Sequence, residues 1–334
     1  MGQEQGGKLD GKLKGIAALA AASELVSAPR DVECFELPCR SLLNSCKTGG
    51  IMPFDFTINP YRGCELGCTY CYARYTHEFM ELDPGRAFER KIFAKENAAR
   101  VLARELARAC APGRPPPGPI AIGTATDPYQ PLERRLGLTR SILEEIARHA
   151  GLSVSVTTKS DLVLRDVAVL QEIARRNAVH VNVTITTLDA ALARTLEPRA
   201  PVPENRLRAV SELTAAGIPV NVSVAPILPF ITDGRPALDG LLGAARAAGA
   251  NDVWSQVLFL REATRPTFFA WLEAERPELV VEYRRIYAGS DYGRGPIPRM
   301  IGMVFSELKK KHRFPGREVA VPAAAASAGQ LSMF

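Results

Sequence analysis

Cys64, Cys68 and Cys71 stand within eight residues of one another in NPYRGCELGCTYCYAR, at the spacing C-x3-C-x2-C. Three thiolates on one loop can wrap a single soft centre, because sulfur ligands select zinc, copper(I) or iron–sulfur clusters. Zinc takes two pairs of ligands in a tetrahedron, and no second pair with suitable spacing follows. A ferredoxin would supply a fourth cysteine. Three ligands therefore point to a 4Fe-4S cubane with one iron left open, and an open iron is a reactive one. The alternative is a closed zinc or cluster site completed by a distant fourth cysteine. Gly63 and Gly67 are expected to let the backbone approach the sulfurs. The other cysteines, Cys34, Cys39 and Cys46 upstream at C-x4-C-x6-C and Cys110 downstream, read as ordinary thiols rather than a second cluster. Seven cysteines is an odd number, which argues against a disulfide framework and for a reducing compartment. His77, close to the motif in RYTHEF, reads as a hydrogen-bonded structural residue rather than a ligand.

The elements that position this loop follow from the pattern of the 334 residues, of which 46 % are hydrophobic and 23 % charged, the values of an ordinary globular chain. No window approaches a membrane span and the start has no secretory apolar core, so a cytoplasmic protein with no membrane partner is expected. Six short β-branched runs alternate with helical patterns: FTIN, IAIGT, LSVSVTT, VHVNVTIT, IPVNVSVAP and DVWSQVLFL. Strand-then-helix units in succession imply parallel strands joined by crossover helices. The apolar runs suit strands covered on both sides. A doubly wound sheet and a partial barrel of six units satisfy the pattern equally. FERKIFAKENAARVLARELARA reads as one helix, and the Gly-, Lys- and Ala-rich start and the Pro- and Ala-rich finish read as mobile ends.

The cysteine spacing, with Tyr70 just before the last cysteine and the first strand just ahead, resembles the radical S-adenosylmethionine superfamily. The wider context, MPFDFTINPYRGCELGCTYCYARYTHEF, GTATDPYQPLER, TTKSDLVLRD and VNVTITTLD, resembles its branch of spore photoproduct lyases and their non-sporulating relatives. The resemblance implies a partial (β/α)6 barrel, placed at residues 51–265; composition and charge add a partly disordered segment before it (1–50) and a basic helical extension (266–315) and flexible tail (316–334) after it. It implies a 4Fe-4S cluster on Cys64, Cys68 and Cys71 and S-adenosyl-L-methionine on the open iron. An electron donor such as flavodoxin or ferredoxin would then start a 5′-deoxyadenosyl radical reaction. Lys159 would pair with the methionine carboxylate, with Tyr70, Thr126 and Thr184 beside the same ligand. The lyases carry a cysteine three residues before the Asp of the segment matching GTATD, and its thiol returns hydrogen to the product. Here that position is Thr124, whose O–H bond is too strong for the task. The same repair chemistry is thereby put in doubt.

The net charge of +6 is local, since nine basic residues against two acidic ones fall between Arg284 and Arg317. Arg294, Arg299, Lys309, Lys310 and Lys311 are the candidate phosphate contacts. Tyr70, Tyr72 and Trp254 could stack on bases, although packing is the commoner use. The sequence finishes GQLSMF, in which Gln330, Leu331, Met333 and Phe334 resemble the short peptide that docks bacterial repair enzymes on the sliding clamp. The expectation is a radical, lyase-like enzyme of DNA repair or modification. An RNA-modifying or methyltransferase enzyme and a clamp-bound iron–sulfur scaffold without turnover are the alternatives.

Overall fold

The computed structural model describes residues 13–28, 31–46 and 52–316. Its strands are β1 (Leu25–Ser27), β2 (Glu33–Glu36), β3 (Asn44–Ser45), β4 (Phe56–Ile58), β5 (Tyr61–Arg62), β6 (Lys91–Ala94), β7 (Ile120–Ile122), β8 (Ser153–Thr158), β9 (Ala178–Thr184), β10 (Val220–Ile227) and β11 (Asp252–Val257). Its helices are α1 (Gly15–Ala21), α2 (Arg86–Arg90), α3 (Ala98–Ala109), α4 (Glu133–Leu136), α5 (Leu138–Ala147), α6 (Val167–Ala174), α7 (Ala190–Leu196), α8 (Pro203–Ala215), α9 (Arg235–Ala247), α10 (Arg265–Glu275), α11 (Val280–Ile286) and α12 (Pro296–His312).

The larger sheet has the order β11-β10-β9-β8-β7-β4-β3. Its six strands from β4 to β11 are parallel, and only the short β3 runs the other way. These six are the runs that the sequence predicts. They stand side by side in chain order, whereas a doubly wound sheet reverses its order partway. The fold is mixed α/β with the strand order of a partial (β/α)6 barrel.

Burial alternates along β8 and through the middle of β9, which corrects the expectation of cover on both faces there, whereas β7 and the first five residues of β10 are buried throughout. In β8, Val154 and Val156 are buried against Ile142, Ile146, Leu170 and Ile173 of the flanking helices, while Ser155 and Thr157 between them are not part of that core. Thr157, Asn182 and Asn221 are partners in adjacent strands. Their side chains form a ladder, Asn182 Nδ2 donating to Thr157 Oγ1 (3.3 Å) and Asn221 Nδ2 to Asn182 Oδ1 (3.3 Å). A period-2 pattern of Val against Ser, Thr and Asn dictates this: one face drives the packing and the other stays polar.

A second sheet, β1-β2-β6-β5, corrects the reading of residues 88–109 as one helix. Lys91–Ala94 pairs in parallel with β2 and antiparallel with β5. Ile92 and Ala94 join Cys34 and Tyr61 in one small core, and Phe93 joins Ala20, Leu37 and Met80 on the other side. An apolar segment buried on two faces is better served by a sheet than by one more turn of amphipathic helix. Ala20 belongs to α1, so the alanine run is a helix packed on this sheet.

The C-terminal helices have no core of their own. Phe268, Trp271 and Leu272 of α10 and Tyr283 and Ile286 of α11 pack with Leu66, Tyr70 and Ala73 of the cysteine segment. Ile301, Phe305 and Leu308 of α12 join the core of the barrel.

Candidate metal and cofactor centre

The cysteine loop runs from β5 into a 3-10 helix at Tyr72–Met80. Gly63 opens it at φ +82°, and a Cβ there would lie 2.9 Å from both the Phe88 carbonyl and Ile92 Cδ1. The glycine is thus required by contact with α2 and β6 rather than by approach to the sulfurs. Gly67, at φ +67°, has Glu89 and Pro198 as its nearest neighbours. The backbone of the loop is held by the helix that follows it and by three distant segments. Thr126 Oγ1 donates to Gly63 O (2.6 Å), Arg199 to Glu65 O (3.0 Å), Arg74 to Cys68 O (2.9 Å) and Thr264 Oγ1 to Cys71 O (2.8 Å). Cys64 N donates to Phe88 O (3.0 Å) and Glu65 N to Gln130 Oε1 (2.9 Å). Arg74 is fully buried and paired with Glu89. His77 Nε2 lies 3.0 Å from Lys91 O, which ties the segment to β6.

Cys64 and Cys68 are buried and Cys71 is half-buried, all three as free thiols. Burial pushes the Cys64 thiol up and carries Cys68 up to about 12 against the opposing pull of Lys159. Such thiols keep their protons until a metal displaces them. Among the described residues no three His, Cys, Asp or Glu side chains converge as a mononuclear site requires. A cubane makes no such demand, because each of its cysteines takes a different iron. Three soft donors on a braced loop fit a cluster.

Lys159 follows β8 directly. The Asp127 carboxylate accepts from Lys159 N (2.8 Å), Thr158 Oγ1 (2.6 Å) and Tyr129 N (2.9 Å), and so joins the end of β8 to the segment after β7. Lys159 Nζ lies 5.6 Å from the centroid of the Tyr70 ring. Burial alone would lower its ammonium, but Cys68, Glu197 and Asp127 together carry it above its ordinary value. The Tyr70 hydroxyl donates to Glu197, which pairs with buried Arg206 and accepts from Thr186 Oγ1 (3.2 Å). Burial would raise the Glu197 carboxyl, yet Arg206 and Lys159 hold it below the usual carboxylate value. Arg206 Nη1 donates to Thr184 O (3.1 Å).

The structure thus brings Cys68, Tyr70, Lys159 and Thr184 into one neighbourhood at the carboxyl ends of the strands. Thr126 joins it under the loop, its hydroxyl donating to Gly63 and accepting from Gln130 Nε2 (3.1 Å). Thr124 Oγ1 accepts from Asn59 Nδ2 (3.2 Å), and its carbonyl accepts the Tyr72 hydroxyl. Glu197 and Arg206 are absent from the sequence reading because they belong to no motif. The upstream cysteines are kept apart: Cys34 lies in the small core, Cys39 bonds to Asn97, and Cys46 sits beside Thr57.

The five basic candidates separate into two groups. Lys309 pairs with Asp252 (2.6 Å), the first residue of β11, and Lys311 pairs with Asp239. The lysine run therefore lies towards the amino ends of the strands, away from the cysteines. Arg294 and Arg299 stand at the other end of α12, near Tyr292, which bridges to Phe259 beyond the carboxyl end of β11. Among the described residues Arg294, Arg299 and Lys310 have no carboxylate partner. Gln330, Leu331, Met333 and Phe334 lie outside the described residues.

Residues 58–238 match the Radical SAM superfamily. The chain is 36 % identical over 315 residues to an uncharacterized protein of Mycobacterium tuberculosis, covering 94 % of this chain and 91 % of that one. It is 29 % identical over 202 residues to an uncharacterized protein of Methanocaldococcus jannaschii, covering 60 % and 70 %. Its fold is similar to that of spore photoproduct lyase complexed with dinucleoside spore photoproduct, at a TM-score of 0.63 and 12 % identity over 89 % of this chain and 87 % of that one. No helix among the described residues is long and apolar enough to cross a membrane. Family, fold and the braced trio of thiols agree on an enzyme whose cofactors are a 4Fe-4S cluster and S-adenosyl-L-methionine, and the chain belongs to the radical S-adenosylmethionine superfamily.

Proposed function

We propose that this enzyme carries out a lyase-like radical reaction on DNA, as repair or modification, in the cytoplasm, and that its C-terminal peptide recruits it to the sliding clamp. The observation that carries the reading is the hub of Tyr70, Lys159, Glu197 and Arg206 beside Cys68, at the strand ends that border the polar face of the sheet. Ligands of open parallel sheets bind outside the carboxyl ends of the strands. When bound, the cluster and S-adenosyl-L-methionine supply hydrogen abstraction by a 5′-deoxyadenosyl radical. Cys64, Cys68 and Cys71 would hold three irons. Lys159 would meet the methionine carboxylate as an ammonium, its backbone fixed by Asp127 and its charge sustained by Glu197. Tyr70 and Thr184 would border the same ligand, and Thr126 would hold the loop from below. A ferredoxin or flavodoxin would supply the electron.

DNA is favoured by the likeness to a lyase complexed with a dinucleoside photoproduct and by Arg294 and Arg299 at the site's end of α12. Because Thr124 cannot return hydrogen as a thiol does, the reaction would differ from the lyase's own in its hydrogen donor, its lesion or its substrate.

Anaerobic reconstitution with iron and sulfide, reduction by dithionite and addition of S-adenosyl-L-methionine test the reading by chromatography for 5′-deoxyadenosine. The intact chain should form it, damaged DNA should stimulate it more than folded RNA, and Cys68→Ala should abolish it. A chain lacking residues 330–334 should cleave the cofactor as before but lose clamp binding. A full cluster with no cofactor cleavage in the presence of DNA would favour the scaffold reading instead.

A further inference from the structure

Aromatic rings and one guanidinium form a continuous strip that starts at the residue after Cys71. Tyr72 and Tyr75 are three residues apart on a 3-10 helix, so they share a face. Beyond β11, Leu258 and Leu260 are buried, which turns Phe259 and Arg261 outward, side by side, over that face. The Phe259 ring lies 6.4 Å from Tyr72 and 4.6 Å from Tyr292. The Arg261 guanidinium lies 4.0 Å from the Tyr75 ring centre, and Phe79 meets Tyr75 edge-on at 5.6 Å. Tyr292 is pinned by its bridge to Phe259 and by Leu260 N donating to Asp291 O (2.8 Å).

A core would bury such a set of rings. Here Tyr72 is 43 %, Phe79 57 % and Tyr292 60 % exposed. Single exposed aromatics need no explanation, but a contiguous strip at the edge of a reactive site does. Arg261 adds a second flat, cationic face to the strip. Arg294 and Arg299, close to Tyr292 in the chain, add positive charge without carboxylate partners among the described residues. The nearby Asp291 is offset by Arg265 at 3.8 Å. Flat π-faces alternating with guanidinium, flanked by unpaired positive charge, match a single nucleic-acid strand, whose bases stack and whose phosphates need cations. A duplex hides its base faces, and a protein partner would gain little from the unpaired arginines.

We propose that this strip binds single-stranded DNA by stacking its bases, so that the strand entering the site is unpaired. This rests on the reading that the enzyme acts on DNA and adds the state in which the DNA is bound. The test uses the reconstituted full chain and fluorescence anisotropy with four labelled probes: a thymidine oligonucleotide, an abasic strand with the same phosphates, a duplex of the same length and a uridine oligonucleotide. The thymidine strand should bind roughly tenfold or more tighter than the abasic strand. Tyr292→Ala, at an exposed position outside the cofactor centre, should bring the two together while 5′-deoxyadenosine formation without DNA stays unchanged, and Tyr292→Trp should restore the difference. Phe259→Ala should act in the same direction. Equal binding of thymidine and abasic strands, tighter binding of the duplex or of the uridine strand, or a base preference that survives Tyr292→Ala would overturn the strip. In those cases DNA binding itself can still stand. Failure of every probe to bind would instead remove the DNA reading on which the strip depends.

Discussion

Glu197 accepts the Tyr70 hydroxyl, pairs with Arg206 and lies in the field of Lys159, so one buried carboxylate faces two cations. Without it Lys159 and Arg206 would repel each other in a medium that screens charge poorly, and an unpaired buried charge typically costs about 3–5 kcal/mol. Its negative charge therefore helps keep Lys159 an ammonium in the field of Cys68. His77 presents the opposite case, a titratable group kept neutral. It is fully buried, with Nε2 at Lys91 O and Nδ1 without a partner among the described residues. Burial lowers it from 6.5 to about 4, and Arg62 adds to the shift. The folded value lies below the unfolded one, so the unfolded chain takes up a proton first as the pH falls, and stability present above pH 6.5 drains away down to about pH 4. At roughly pH 5 the loss attributable to His77 should be about 2 kcal/mol relative to neutral pH. Denaturant unfolding at both pH values, compared with His77→Gln, measures it: the variant keeps a donor for Lys91 O but does not titrate, so its stability should fall by about that much less. An identical pH dependence in both proteins would refute the assignment.

At the scale of elements, the cysteine loop owes its shape to α2 and β6, against which Gly63 packs with no room for a methyl group. Gly63→Ala should therefore weaken cluster retention while leaving all three thiols in place. Iron bound after gel filtration should drop well below that of the intact chain, whereas Gly113→Ala, with nothing within 4 Å of the added atom, should retain it. Both glycines have φ near +80° (+82° and +81°), so backbone strain is matched and only the contact differs. The same elements show what a sequence can and cannot reveal. The six parallel strands are legible because each is a β-branched run followed by a helical pattern, a signal carried within one stretch of chain. The cysteine motif is legible for the same reason. β6 is not, since KIFA sits between helical patterns and becomes a strand only by pairing with Glu33–Glu36, far earlier in the chain. Thr126 stands out in the sequence through its segment GTATD, but its contact with Gly63, which joins positions 63 residues apart, does not. Glu197 and Arg206 left no trace because their role exists only once α7 and α8 are packed beside the loop.

Across the whole molecule α12 runs from the carboxyl ends of the strands to their amino ends. Its 17 residues span about 25 Å, with Arg299 near the start and the lysine run at the finish. Gly316 N donates to Asn251 O (3.0 Å), just before β11, so the chain leaves the described fold at the end opposite the cysteines. The same polarity divides a basic window that looks uniform in sequence. Lys309 and Lys311 are committed to Asp252 and Asp239, and a cation already paired releases few counterions when a phosphate arrives. Arg294→Ala and Arg299→Ala should each weaken DNA binding and reduce the dependence of log affinity on log salt by about one unit. Lys310→Ala, an exposed lysine at the far end, should change neither. Affinities measured over a salt series decide between the two ends. A loss of slope in Lys310→Ala with none in the arginine variants would place the phosphates on the amino-end face, and the DNA path would then run along α12 instead of across the strand ends.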